Sequence, residues 1–154
     1  MNRTLSALIV SCLLLTLSAC ATAPPKQAAL QGESVLTAMR GLTRAYESKD
    51  IDLFLEKISP PYAEKQSLMQ TTAMVFSKYQ TIRLKVHYTK MLIMAEDRGN
   101  IKATFTWEGE WQTSGGKTHK DGARTTFVFD PKEYKLLAVE GKNPFVLVEN
   151  QGKQ

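Results

Sequence analysis

The chain has 154 residues, a length typical of one small domain, and a formal net charge of +5 from 20 Lys and Arg against 15 Asp and Glu. The basic residues are scattered rather than clustered, which argues against a nucleic-acid-binding protein. Both cysteines, Cys12 and Cys20, precede residue 21, so the rest of the chain offers no disulfide, thiol nucleophile or cysteine metal ligand.

The N-terminus has the three-part pattern of an export signal. Arg3 gives a short basic head, an apolar run extends from Leu5 to Leu17, and the small residues Ser18 and Ala19 follow. The run is about 13 residues long, whereas a membrane-spanning helix needs about 20. It is also apolar all round, which suits a core helix poorly. The pattern therefore predicts a cleaved signal peptide over residues 1–19.

The segment Leu17-Ser18-Ala19-Cys20 resembles the lipobox of bacterial lipoproteins. The resemblance implies cleavage before Cys20, diacylglycerol on its sulfur and acylation of its new amino group, and several acyl chains attach a protein durably to a membrane. The rival interpretation is a conventional cut after Ala19-Cys20-Ala21. In Gram-negative lipoproteins an aspartate after the cysteine usually signals inner-membrane retention. Ala21 stands there, so the resemblance points to the outer membrane, facing the periplasm.

The segment after the cysteine is predicted to be a flexible tether over residues 20–32. Its Pro24-Pro25 pair favours extended chain, and the twelve residues after Cys20 would span at most about 40 Å. A helix is predicted from Glu33 to Ser48, because Val35, Met39, Leu42 and Tyr46 recur at helical spacing.

Two further helices are predicted before the sheet begins. Asp50 can cap a short second helix, which Ser59-Pro60-Pro61 ends. A third helix is predicted from about Tyr62 to Tyr79. Its expected buried stripe consists of Met69, Ala73, Phe76 and Tyr79.

After Gln80 the apolar period changes to two, which is typical of strands. The first strand is predicted from Ile82 to Tyr88, with a bulge near Lys90. The clearest alternation extends from Ile101 to Trp111, and a loop is expected from Ser114 to Gly122. Further strands contain first Thr125, Phe127 and Phe129, and then Leu137 and Val139, before a C-terminal tail over residues 148–154. Three helices and four antiparallel strands in a meander predict an α+β domain over residues 33–147.

Three segments carry a family resemblance: residues 45–54, 58–62 and 127–141, the last with Phe127-Val128-Phe129-Asp130 at its start. They resemble segments of the nuclear transport factor 2-like superfamily, which includes ketosteroid isomerase and SnoaL-like cyclases. The resemblance implies a cone-like domain in which N-terminal helices pack on a curved antiparallel sheet. It also implies a mostly apolar pocket open at one end. The candidate ligand-binding residues, each of which could instead fill the core, are Tyr46, Phe54, Tyr62, Met69, Phe76, Trp107, Trp111 and Phe127.

Superfamily members often pair through the sheet, so the resemblance also implies a possible homodimer. The outward-facing residues of the strand over 101–111 weaken that expectation because they are polar: Lys102, Thr104, Thr106, Glu108 and Glu110.

The isomerase mechanism needs a carboxylate base and acidic hydrogen-bond donors in an apolar pocket. Leu42 stands where that family has its tyrosine donor, and the region of the base is predicted to be helical. Asp50 and Asp52 suit helix capping, and His87 and His119 have no partner at a recognisable spacing. The sequence predicts a non-catalytic envelope lipoprotein that binds a small apolar ligand or an envelope protein, with no cofactor and no metal. A small acid–base enzyme using the same pocket, or a structural assembly accessory, are the alternatives.

Overall fold

The computed structural model describes residues 25–87, 94–95 and 99–147, and within these ranges it describes side chains from residue 29 onward except at 94 and 95. Four helices come first: α1 (Pro25–Glu47), α2 (Ile51–Glu56), α3 (Pro60–Lys65) and α4 (Leu68–Lys78). The strands are β1 (Thr81–His87), β2 (Met94–Ala95), β3 (Ile101–Gln112), β4 (Thr118–Phe129) and β5 (Leu136–Glu140). The predicted signal peptide, Cys20, the bulge near Lys90 and the 148–154 tail lie outside these residues.

Helix α1 begins eight residues earlier than predicted, at Pro25 instead of Glu33, so the extended tether predicted over 20–32 is wrong from Pro25 onward. Proline is well tolerated in the first turn of a helix, where its missing N–H costs nothing. The following Lys-Gln-Ala-Ala-Leu sequence consists of good helix formers. None of the helices in the described ranges is long and apolar enough to cross a membrane.

The single helix predicted from Tyr62 to Tyr79 is two helices, α3 and α4. Ser67 lies between them with a left-handed φ of 48°, which interrupts the helical path. The break also sets which side of α4 faces the core: Leu68, Thr72 and Val75 are buried, whereas Met69 and Ala73 are exposed. The predicted buried stripe is therefore wrong at its first two residues: Leu68 and Thr72 are buried in place of Met69 and Ala73.

The strands form one antiparallel sheet in the order β1-β3-β4-β5, and β2 pairs with the start of β3 on the β1 side. Trp107 lies opposite Val86 and Ala123, and Trp111 lies opposite Ile82 and His119. Because side chains alternate along a strand, these residues share the sheet face that the helices cover. The four-strand meander predicted from the alternation is confirmed.

The loop predicted from Ser114 to Gly122 is much shorter, because β4 already begins at Thr118. Thr113 and Lys117 close the turn through an N–H to carbonyl bond of 2.9 Å, and Gly116 supplies a positive φ of 81°. The alternation disappears from the sequence here because residues 118–120 are exposed on both faces of the hairpin.

Two charged side chains join the end of α1 to other elements. The Lys49 ammonium donates to the carbonyl oxygens of Phe76 and Tyr79, both at 3.0 Å, at the C-terminal end of α4. A Glu47 carboxylate oxygen accepts from the backbone N–H of Leu84 in β1 at 2.6 Å. The acidic turn after α1 is therefore a structural junction.

The sheet face turned away from the helices is polar, as predicted. The hydroxyls of Thr104 and Thr126 are 2.7 Å apart, and the Lys102 ammonium lies 2.9 Å from a Glu140 carboxylate oxygen. Such cross-strand polar pairs suit a face in contact with water.

Candidate functional site

The predicted pocket residues lie where the helices meet the sheet, and most of them pack against one another. Tyr46 on α1 contacts the rings of Phe54 on α2 and Phe76 on α4, with centroid distances of 5.4 and 5.3 Å. Phe145 completes the group at 5.2 Å from Tyr46, 5.1 Å from Phe54 and 6.3 Å from Phe127. We call these five residues the interior cluster. Tilted and edge-on rings at these distances are favourable core contacts.

The two tryptophans line the next part of the interior. Their rings are perpendicular, with centroids 6.5 Å apart, and both side chains are buried. The Trp107 indole N–H donates to the Thr125 hydroxyl at 2.9 Å, and that hydroxyl donates to the Lys142 carbonyl at 2.7 Å. The Trp111 indole N–H has no partner at hydrogen-bond geometry among the described residues.

Gly109 is required by the position of Trp111. A Cβ added there would lie 2.1 Å from the Trp111 ring, which is fully buried and cannot easily move. We expect Gly109→Ala to lower the free energy of unfolding by about 1–3 kcal/mol, as overpacking does. Urea unfolding would measure the loss. Gly115→Ala is the matched control, because its new Cβ would have its nearest contact at 4.0 Å. Equal midpoints for the two variants would contradict the placement of the Trp111 ring.

Two buried tyrosines, Tyr46 and Tyr62, contribute hydroxyls to this interior. Burial raises the pKa of Tyr46, and the nearby Trp111 indole offsets only part of that rise. The Tyr46 hydroxyl has one long bond, 3.5 Å to the Phe145 carbonyl. Burial also raises the pKa of Tyr62, whose hydroxyl accepts from the Asn143 side-chain amide at 3.3 Å. Both phenols are therefore neutral at physiological pH, suited to donating hydrogen bonds and not to acting as bases.

Met69 differs from the other predicted pocket residues. It is 60% exposed, so its predicted burial is wrong, because the break at Ser67 turns it toward solvent. It lines a surface depression of about 470 Å³ with Leu55 and Pro60. The remaining seven candidates belong to the core or pack against it.

The acid–base candidates are not assembled into one site. Asp50 caps α2, its carboxylate accepting from the Leu53 N–H at 2.9 Å, and Asp52 lies in the first turn of the same helix. His87 is exposed and its Nε2 lies 3.9 Å from a Glu108 oxygen. His119 is also exposed but lies on β4, not in a loop, with its ring 5.7 Å from that of Trp111. The described part of the chain holds no group of three potential metal ligands.

Sequence reasoning missed Phe145 as a member of the interior cluster. It follows Pro144 in a segment without periodicity, where Asn143 holds the turn by accepting from the Phe145 N–H at 2.9 Å. Phe105, within the alternating segment from Ile101 to Trp111, was not among the candidates either, and its ring lies 5.8 Å from that of Phe127. The available signal for Phe145 was an aromatic residue near the end of the predicted domain, after its last strand.

No protein-family sequence model matches this chain, and no curated protein is similar to it at a significant level. Among solved structures it is similar to a nuclear transport factor 2 (NTF2-like) superfamily protein from Salmonella enterica subsp. enterica serovar Typhimurium str. LT2. The match has a TM-score of 0.61 and 12% sequence identity, and covers 82% of this chain and 99% of the other. The chain therefore has the nuclear transport factor 2-like α+β fold, with helices followed by a curved antiparallel sheet.

Proposed function

We propose that this chain is a lipid-anchored lipoprotein of the bacterial outer membrane, facing the periplasm, whose folded domain binds a small ligand or a protein and does not catalyse a reaction. The fold itself is compatible with both binding and catalysis. The proposal therefore depends on what the individual side chains of the domain do.

The packing of the interior cluster is the observation that carries the non-catalytic part of the proposal. Four aromatic rings pack against one another in the region where a pocket was predicted: those of Tyr46, Phe54, Phe76 and Phe145. An acid–base enzyme needs a base within hydrogen-bond reach of a bound substrate. Asp50 is instead engaged at the start of α2, and His87 lies in solvent on β1.

The lipobox-like segment before Cys20 supports the anchor, and the early start of α1 bears on how the domain would be held. Only Ala21, Thr22, Ala23 and Pro24 separate Cys20 from the helix. Five residue steps reach at most about 18 Å, so a lipid on Cys20 would keep the start of α1 close to the bilayer surface.

The anchor is tested by expressing the full chain in a Gram-negative host with radiolabelled palmitate. We expect the wild-type chain to be labelled and to sediment with outer membranes, because acyl chains on Cys20 hold it there. Cys20→Ala should remove the label and the outer-membrane attachment. Mass analysis of the purified wild-type product should show residue 20 as its acylated first residue.

Cys12→Ala is the matched control, since it removes the other cysteine from within the predicted signal peptide. This variant should be labelled and localised like the wild type. The proposal of a lipoprotein would be contradicted by a Cys20→Ala chain that is still labelled with palmitate, or by a wild-type product that retains its signal peptide.

A further inference from the structure

A groove separate from the interior cluster lies between α1 and the edge strand β1. Its volume is about 380 Å³. The floor is apolar: Met39, Leu84 and Phe105 are buried, and Leu36 and Val86 are half-buried. We call this feature the α1–β1 groove, and its remaining lining residues are Arg40, Thr43, Arg44 and Glu47.

The rim of the groove is cationic. Arg40 and Arg44 are exposed, one helical turn apart on the same side of α1, and neither forms an ion pair with a carboxylate of the described residues. Among the described lining residues Glu47 is the acidic one, and its carboxylate already accepts from the Leu84 N–H at 2.6 Å. Two like charges at this spacing destabilise a helix, and an anion bound between them would relieve that repulsion.

We propose that the α1–β1 groove binds an amphiphile with one acyl chain and one anionic head, for which a long-chain fatty acid is the simplest example. The acyl chain lies along Leu36 and Val86, the half-buried apolar side chains of the groove, and the carboxylate binds the guanidinium groups of Arg40 and Arg44. The inference deepens the proposed function, on which it rests, by naming the site and the class of ligand of a non-catalytic domain.

The size and charge of the groove favour this occupant over others. Ligand sites span roughly 300–1,000 Å³, so a groove near the lower end suits one acyl chain better than the two of a phospholipid. Guanidinium groups bind carboxylates through paired, charge-assisted hydrogen bonds, which an uncharged lipid could not form. An apolar surface with a few charged groups at one side is also the usual arrangement for orienting an amphiphile.

The inference is tested by photocrosslinking in isolated membranes that carry the full chain. The probe is a diazirine-bearing palmitic acid, added without ATP or coenzyme A so that it cannot be attached to Cys20. We expect labelled peptides that cover residues 36–47 or 82–87. Labelling of those peptides by the matching palmityl alcohol or by a diacyl phosphatidylglycerol probe should be about tenfold weaker at equal concentration.

Variants separate the roles of charge and space. Arg40→Gln with Arg44→Gln should reduce labelling about tenfold, because the head group loses its charge-assisted bonds. Thr43→Trp should reduce it similarly by filling the groove. The control is Arg83→Gln with Lys85→Gln, which removes two exposed charges from the opposite face of β1 and should leave labelling unchanged. Circular dichroism of each variant confirms that it is folded.

Equal labelling by the acid and the alcohol would overturn the inference, as would labelling that survives both the arginine and the Thr43 changes. Stronger labelling by the diacyl probe, or crosslinks confined to other peptides, would overturn it too. These outcomes are independent of the palmitate test at Cys20. If the chain is lipidated at Cys20 but the groove peptides are not photolabelled, only this inference is disproved. If the chain is not lipidated but the groove peptides are photolabelled, only the proposal of a lipid anchor is disproved.

Discussion

Replacing Phe145 by alanine is expected to lower the free energy of unfolding by about 3–5 kcal/mol, the usual cost of removing a buried aromatic ring. Phe145 is fully buried and contacts Tyr46, Phe54 and Phe127. Its ring joins side chains from two helices and the sheet, so the cavity left behind could not close by moving one element. Since small domains have a total stability of about 5–15 kcal/mol, this loss would remove a large part of it.

Urea unfolding followed by tryptophan fluorescence would measure the effect. Met69→Ala is the control, because Met69 is 60% exposed and its replacement should change stability by less than about 0.5 kcal/mol. The sequence alone favours the reverse order, because it places Met69 in a buried stripe and leaves Phe145, near the end of the predicted domain, outside every predicted helix and strand. A larger loss for Met69→Ala than for Phe145→Ala would show that the structure assigns the core wrongly.

The strands were the most predictable part of the fold. From Ile101 to Trp111 apolar residues alternate with polar ones, with only Gly109 lacking a side chain on the inward phase, and a strand with one wet face can produce that pattern only in one register. The alternation therefore placed Trp107 and Trp111 correctly in the interior. It could not reveal that Gly109 must remain small, because that requirement comes from the direction in which the Trp111 ring lies.

The helices were less predictable because their ambiguities are resolved only by tertiary contacts. Residues 68–76 contain apolar side chains on adjacent faces, so a stripe beginning at Leu68 and one beginning at Met69 are both compatible with a helical period. The left-handed backbone at Ser67 orients α4 so that the stripe beginning at Leu68 faces the core. Pro24-Pro25 was equally ambiguous, since proline is compatible with an extended tether and also with the first turn of a helix.

The candidate site was predictable in its members but not in its packing. Seven of the eight candidates belong to the core or pack against it, which agrees with the apolar periodicity. Whether they line a pocket depends on Phe145, whose segment has no periodic signal. The α1–β1 groove could not have been predicted either, because it combines α1 residues with Leu84, Val86 and Phe105 from two strands that come next to the helix only in the folded chain.

Above pH 10 the folded state is expected to lose stability steeply, and Tyr46→Phe should remove much of that loss. Burial raises the pKa of Tyr46 in the folded state, while the unfolded value stays near 10. A group with a raised folded pKa contributes its full stability below the unfolded pKa. As the pH rises beyond that value, the unfolded chain releases the proton and the folded chain keeps it. The free energy of unfolding then falls by about 1.4 kcal/mol per pH unit for such a tyrosine.

Urea unfolding at pH 7, 9, 10, 11 and 11.5 would compare the wild type with Tyr46→Phe. Near neutral pH the two should differ little, because the Tyr46 hydroxyl has only a long bond of 3.5 Å to the Phe145 carbonyl. Above pH 10 the variant should decline less steeply, and adding Tyr62→Phe should flatten the curve further, since burial raises the pKa of that phenol as well. Leu42→Val, a buried change without a titrating group, should lower the whole curve and keep its slope. Parallel curves for the wild type and Tyr46→Phe would mean that the phenol is hydrated, and that the interior of the domain is open where the rings of the cluster are placed in contact.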